Sequence, residues 1–312
     1  MPPWLILLLL DGAATLDASS AATQLRATQS AVFELLHRGL QPSTALDSTS
    51  VALRDGVVGT VRAFEAPDRC VAWCSACSIE GDDHTATLAA WATPSIEVPH
   101  LYVRTAVTGG AIELEVDFRN RLNAGYDAAC EAANAYPAPA SRAAFAQAAL
   151  RDEYGAAFFT PDAREWRERV RSAGGASDAA SALGGLVVGG RRQYGDEDAG
   201  GCAGPLALCV SLPLGEEGII AARGAVEAAA QRWLAWITAS ADASWMRNRM
   251  MFDRDCQVRQ LVASTTARAL EDRYGEAGRA LATADAGRLD MMGHNMMQEQ
   301  KGFGSDESEG RD

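Results

Sequence analysis

The stretch Leu101-Tyr-Val-Arg-Thr-Ala-Val107, Thr108-Gly109-Gly110, Ala111-Ile-Glu-Leu-Glu-Val-Asp-Phe118 decides the fold. Ile112, Leu114, Val116 and Phe118 alternate with Glu113, Glu115 and Asp117, the period of a strand with one buried face. Paired glycines supply the positive φ that a two-residue hairpin turn demands. Strands joined so tightly run antiparallel. Working backwards, Thr85–Trp91, Cys70–Ile79 and the two short strands around Arg54-Asp55-Gly56 (Val51 to Phe64) extend this hairpin into a meander. Working forwards, Tyr126 to Ala182 has a helical period, with Thr160-Pro161 as N-cap and first helical residue. Gly184 to Gly204 holds eight glycines and reads as a loop. Pro205–Leu212 returns to strand, and Glu216–Ala241 is a long helix carrying Trp233 and Trp236. A last helical stretch, Trp245 to about Ala284, repeats apolar positions at Val258, Leu261, Val262 and Thr265, with Asp255 and Arg259 spaced as an i,i+4 pair. Strands, helices, one strand and helices again predict an α+β fold, a three-layer α/β/α sandwich on a central antiparallel sheet.

Across 312 residues, 28 Lys+Arg face 41 Asp+Glu, a formal charge of −13. Such a chain repels phosphate as a whole, which argues against nucleic-acid binding. Its only lysine, Lys301, lies in a Gly- and acid-rich tail, which argues against Schiff-base and P-loop chemistry. Seven cysteines do not read as a disulfide framework. Cys70, Cys74 and Cys77 have the spacing of an iron–sulfur loop, but a strand would send Cys74 and Cys77 to opposite faces, leaving packing thiols. His37, His84, His100 and His294 show no metal-ligand spacing, and the Met291–Met297 cluster reads as packing. Hydrolase, metalloprotease and dinucleotide signatures are absent. The apolar run at Met1–Leu10 is too short to span a bilayer; with its Ser/Thr/Ala-rich follower it reads as a targeting segment, the alternative being a buried first strand or helix.

Several stretches together resemble a known family. They are Trp91-Ala-Thr-Pro94; Val98-Pro99-His100-Leu-Tyr102-Val-Arg104; Gly109-Gly110 with Ile112–Phe118; Arg121 with Tyr126-Asp127; Gly204-Pro205 to Leu212; and Ala225 to Ile237. Residues 45 to 242 are similar in this pattern to the ferredoxin-dependent bilin reductase superfamily, and most to its red chlorophyll catabolite reductase branch. The resemblance implies residues 1–44 as a targeting segment, 45–243 as the reductase-like domain, 244–303 as a helical extension and 304–312 as a disordered tail. It further implies an open-chain tetrapyrrole pocket and an oxidoreductase acting on CH–CH bonds in chlorophyll breakdown. No cofactor would be bound, since reduced ferredoxin supplies the electrons. The partners would be a linear tetrapyrrole and ferredoxin, the chain would not be an integral membrane protein, a homodimer is compatible, and the location would be a plastid (chloroplast).

The implied substrate contacts are His100, Tyr102, Arg104, Arg121, Trp236 and Thr238. Such chemistry needs a carboxyl whose pKa is raised near the ligand. The family's strand acid, five residues after the proline, is Arg104 here, and its helix acid falls at Ala235 or Thr238. Asp242 and Asp117 are the nearest substitutes and hence the candidate catalytic acids. Arg104 leaves three readings open: a reductase, a non-catalytic tetrapyrrole- or protein-binding relative in which Arg104 clamps a propionate, or a plain ion pair with Glu113 or Glu115.

Overall fold

The computed structural model describes residues 17–81, 84–119, 121, 157–176, 187–188, 191–192, 206–241 and 245–287. Six strands follow one another as an antiparallel meander: β1 (Asp47–Ala52), β2 (Val58–Ala66), β3 (Val71–Glu80), β4 (His84–Ala92), β5 (His100–Thr108) and β6 (Ala111–Arg119). Asp55 and Gly56, at φ 61° and 77°, make the first turn, and Gly109 and Gly110, at 60° and 80°, make the last. The decisive hairpin pairs as expected, Leu101 opposite Phe118 and Arg104 opposite Glu115. The two-residue β7 (Gly175–Ala176) and the later β10 (Leu208–Pro213) complete an eight-stranded sheet in the order β1-β2-β3-β4-β5-β6-β10-β7. The pair β8 (Val187–Val188) and β9 (Arg191–Arg192) stands apart from it.

One face carries α1 (Ala18–Leu40), α2 (Pro161–Ala173) and α3 (Glu216–Ala239). Within the expected N-terminal segment, Ala18–Leu40 form α1 and contribute to the core. Leu25, Val32, Phe33, Leu36 and Leu40 recur at helical spacing and are all buried against the sheet. The Asp17 carboxylate caps the helix by accepting from the Ser20 N–H at 2.7 Å. Small Ala21 and Thr28 lie on the buried face of this helix. Helix α3 is pinned by Trp233, wholly buried, whose Nε1–H donates to the Pro99 carbonyl at 2.8 Å.

The other face is covered by α4 (Trp245–Tyr274) and α5 (Glu276–Ala286), which meet at Gly275. These helices bury a second, smaller core in which Leu270, Leu281 and Ala282 meet Val61, Ala63, Trp73 and Cys77 of the sheet. The C-terminal helices are therefore the third layer of the sandwich and not an accessory. Strand alternation sends Cys74 to the first core and Cys77 to the second, as the sequence requires. No helix among the described residues is long and apolar enough to cross a membrane.

Candidate functional site

A cleft lies between the sheet and the C-terminal layer. Its floor is made of side chains of β3 to β6, among them Ser75, Cys77, Trp91, Tyr102, Arg104 and Arg119; its roof is Arg259, Val262 and Thr266 of α4 with Ala282 and Asp285 of α5. The cavity volume is about 70 Å³. It is a narrow slot. Alternation on β5 places Tyr102 and Arg104 in it, and the pairing places Asp117 on the same face, opposite Tyr102.

Three guanidinium groups converge here. Arg104 is 2% exposed, and its Nε and Nη2 atoms meet no hydrogen-bond partner among the described residues. Arg119 lies over the Tyr102 ring at 4.2 Å, with Nε 3.7 Å from the Asp117 carboxylate and a buried Nη1 lacking a hydrogen-bond partner. Arg259 sits 5.5 Å above Trp91 and donates from Nη2 to the Ala286 carbonyl at 2.8 Å; burial pulls it down to about 10. Buried donors without acceptors are costly, and Glu115 is the carboxylate set opposite Arg104 across the strands. Burial also pushes the Tyr102 hydroxyl and the Cys77 thiol up, which keeps both neutral.

Asp285 lines the cleft from the roof, near the C-terminal end of α5. Burial pushes its carboxyl up to about 6, against a smaller opposing pull from Ser75. The sequence reading did not single out this residue. Its environment is built by β3 and β5, some 200 residues away, and only the period of Leu281, Ala282 and Asp285 in α5 hints at its inward direction.

The remaining expected contacts go elsewhere. His100 and Arg121 both bind Asp255 of α4. His100 Nδ1 accepts from the Ala92 N–H at 3.1 Å, so the neutral ring carries its proton on Nε2 and donates it to Asp255 Oδ1 at 2.8 Å. Arg121 grips both Asp255 oxygens, through Nε at 3.2 and 3.1 Å and through Nη2, while its Nη1 donates to the Ile96 and Val98 carbonyls. Burial alone would raise the Asp255 carboxyl; Arg121 and His100 outweigh it and hold it below its usual value. Asp255 thus fastens the roof to the sheet. The spacing suggested an Asp255–Arg259 pair, yet the nearer cation across the layers takes the carboxylate and Arg259 turns to Ala286. Trp236 and Thr238 are not brought to the cleft. Trp236 packs on Phe118 and Phe158 on the opposite face, and Thr238 is exposed with its hydroxyl on the Leu234 carbonyl. Asp242 lies outside the described residues.

The buried histidines make stability fall in acid. His84 and His100 are pulled down from 6.5 to about 4, chiefly by burial. Between those values the unfolded chain takes up protons that the folded chain refuses, costing on the order of 3 kcal/mol per histidine by pH 4. Asp285 acts in the opposite sense: raised from 3.8 to about 6, it favours the folded state as pH falls through 6. The net result is a declining melting temperature from pH 6.5 to 4. His84→Gln should remove most of that net decline, and thermal melts with an unchanged slope would refute the assignment.

Sheet, layers and cleft define an α/β/α sandwich with a buried cationic slot between an antiparallel sheet and its C-terminal helices. No protein-family model and no curated protein matches the chain. Among solved structures, phytochromobilin synthase from tomato in complex with biliverdin superposes with a TM-score of 0.58 at 11% identity, over 86% of this chain and 84% of that one. The two proteins share their fold.

Proposed function

We propose that the protein reduces a linear tetrapyrrole with electrons from reduced ferredoxin. The single observation that carries this reading is the cleft itself: buried arginines with open donors, stacked on aromatic rings, in one slot with an acid of raised pKa. An open-chain tetrapyrrole offers complementary chemistry, a conjugated plane for Trp91 and Tyr102 and propionates for Arg104 and Arg119. The shared fold with a synthase that holds biliverdin supports it further. Sequence resemblance points to a red chlorophyll catabolite as the substrate, in chlorophyll breakdown within a plastid. Ligands of this size are usually enclosed by roughly 300–1,000 Å³. The slot seats them only if α4 and α5 move outward.

Arg104 favours a second reading, a binder without turnover, because it stands where the resemblance expects an acid. One absorbance experiment separates the two. Purified full-length protein is titrated with biliverdin and, separately, with red chlorophyll catabolite, before and after adding reduced ferredoxin. A shifted bound spectrum followed by loss of the ligand's long-wavelength band supports reduction. A shifted spectrum that ferredoxin leaves unchanged supports the binder. Free-ligand spectra throughout would reject both. A tagged full-length chain found in the cytosol would reject the plastid location.

A further inference from the structure

We propose that α4 and α5 form one jaw over the slot, hinged where Asp255 fastens α4 and latched where Trp73 holds α5, and that a ligand enters when the latch lets go. The motion stands on geometry alone; only the identity of the ligand rests on the reductase reading. Two ties make the helices a single body. Gly278 of α5 lies so close to the Leu270 carbonyl of α4 that no Cβ would fit between them. Arg259 of α4 donates from Nη2 to the carbonyl of Ala286, the last residue of α5, at 2.8 Å. Both contacts are internal to the jaw, so they survive its opening.

The jaw meets the body at two unlike places. On α4, Asp255 is 1% exposed and gripped by Arg121 and His100, and Met251, one turn earlier, is buried in the main core. Parting a buried ion pair is expensive, so this side stays shut. On α5 the ties are lighter. Trp73 Nε1 donates to the Asp285 carbonyl at 2.8 Å, and Gly287 rests against the same indole with no room for a Cβ. Leu281 sits over Gly59 of β2, where again no Cβ would fit. One neutral hydrogen bond and close apolar contact hold far less than buried charges do.

Closure also carries a cost that opening relieves. Arg104 Nε and Nη2, Arg119 Nη1 and Asp285 Oδ1 belong to residues that line the slot, and all are buried without a hydrogen-bond partner. Water admitted by an open jaw would satisfy them. Against this, the jaw gives Leu270, Leu281 and Ala282 to the buried second core, fewer large side chains than α1 alone gives to the first. A layer with so little buried apolar contact opens well before the rest of the fold.

Hydrogen–deuterium exchange of the ligand-free full chain is the test. Residues 262–286 should exchange together, at least tenfold faster than β3 to β5, while residues 250–258 stay protected. Trp73→Phe keeps a ring and drops the donor, and Gly59→Ala sets a methyl under Leu281. Each should speed residues 262–286 about fivefold and leave β4 to β6 unchanged. Biliverdin association, followed by stopped-flow absorbance, should quicken by the same factor, because it tracks the open fraction. Exchange of residues 262–286 in step with the sheet would overturn the proposal, as would acceleration confined to residues 276–286 or spreading into β4 to β6. So would faster exchange with unchanged association. A parent that never binds biliverdin defeats the reductase reading, and exchange alone then decides the jaw.

Discussion

Replacing Asp255 with alanine should lower the melting temperature by roughly 6–15 °C, the largest stability change expected of a single polar substitution in this chain. Arg121 is about 1% exposed, and Asp255 is the carboxylate it grips. Removing one partner of such a pair strands the other's charge in a medium that cannot solvate it, which costs about 3–5 kcal/mol. His100 also loses the acceptor for its Nε2–H. The damage should be local first. Because Asp255 joins α4 to the sheet, the variant should become protease-sensitive within residues 245–287 before the sheet unfolds. Asp255→Asn keeps the shape without the charge and should fall between parent and alanine variant. An Asp255→Ala protein that melts with the parent would show that the roof is held by its apolar contacts alone.

Arg104→Met should have two opposite effects. Without ligand, the thioether fills similar volume and removes a buried cation whose Nε and Nη2 donors lack acceptors, so the melting temperature should rise. With ligand, the loss of a desolvated two-point contact to a carboxylate costs about 2–5 kcal/mol, so biliverdin binding should weaken more than tenfold. Stability and affinity would thus move apart in one variant. Thermal melts and a spectroscopic titration measure both. If Arg104→Met binds biliverdin like the parent, the arginine does not touch the ligand and the plain structural reading prevails.

The sheet was legible because alternation is a local property. Ile112 to Phe118 state their faces without help, and the same rule sends Tyr102 and Arg104 to one side together. Helix α1 was obscured because its stripe of Leu25, Val32, Phe33 and Leu36 is diluted by Ser, Thr, Ala and Gln, a composition shared with targeting segments. The cleft was only half legible. Its floor follows from β5 and β6, but its roof depends on which face of two Ala- and Arg-rich helices turns inward, and their apolar stripes are weak. His100 and Arg121 were read as ligand contacts because they lie on or beside the right strands. Their partner, Asp255, is more than 130 residues downstream, and no local pattern joins them.

The order of the layers along the chain has a consequence for biosynthesis. All eight strands of the sheet and the first helical layer precede residue 245. During synthesis, where N-terminal parts fold first, the face bearing Arg104 and Arg119 can therefore form while still open to water. Its arginines keep their hydration until the last two helices arrive. Dehydrating them is the final act of folding, and a ligand carboxylate present at that moment would ease it. Newly made chains should accordingly mature faster when a ligand bearing a carboxylate is present.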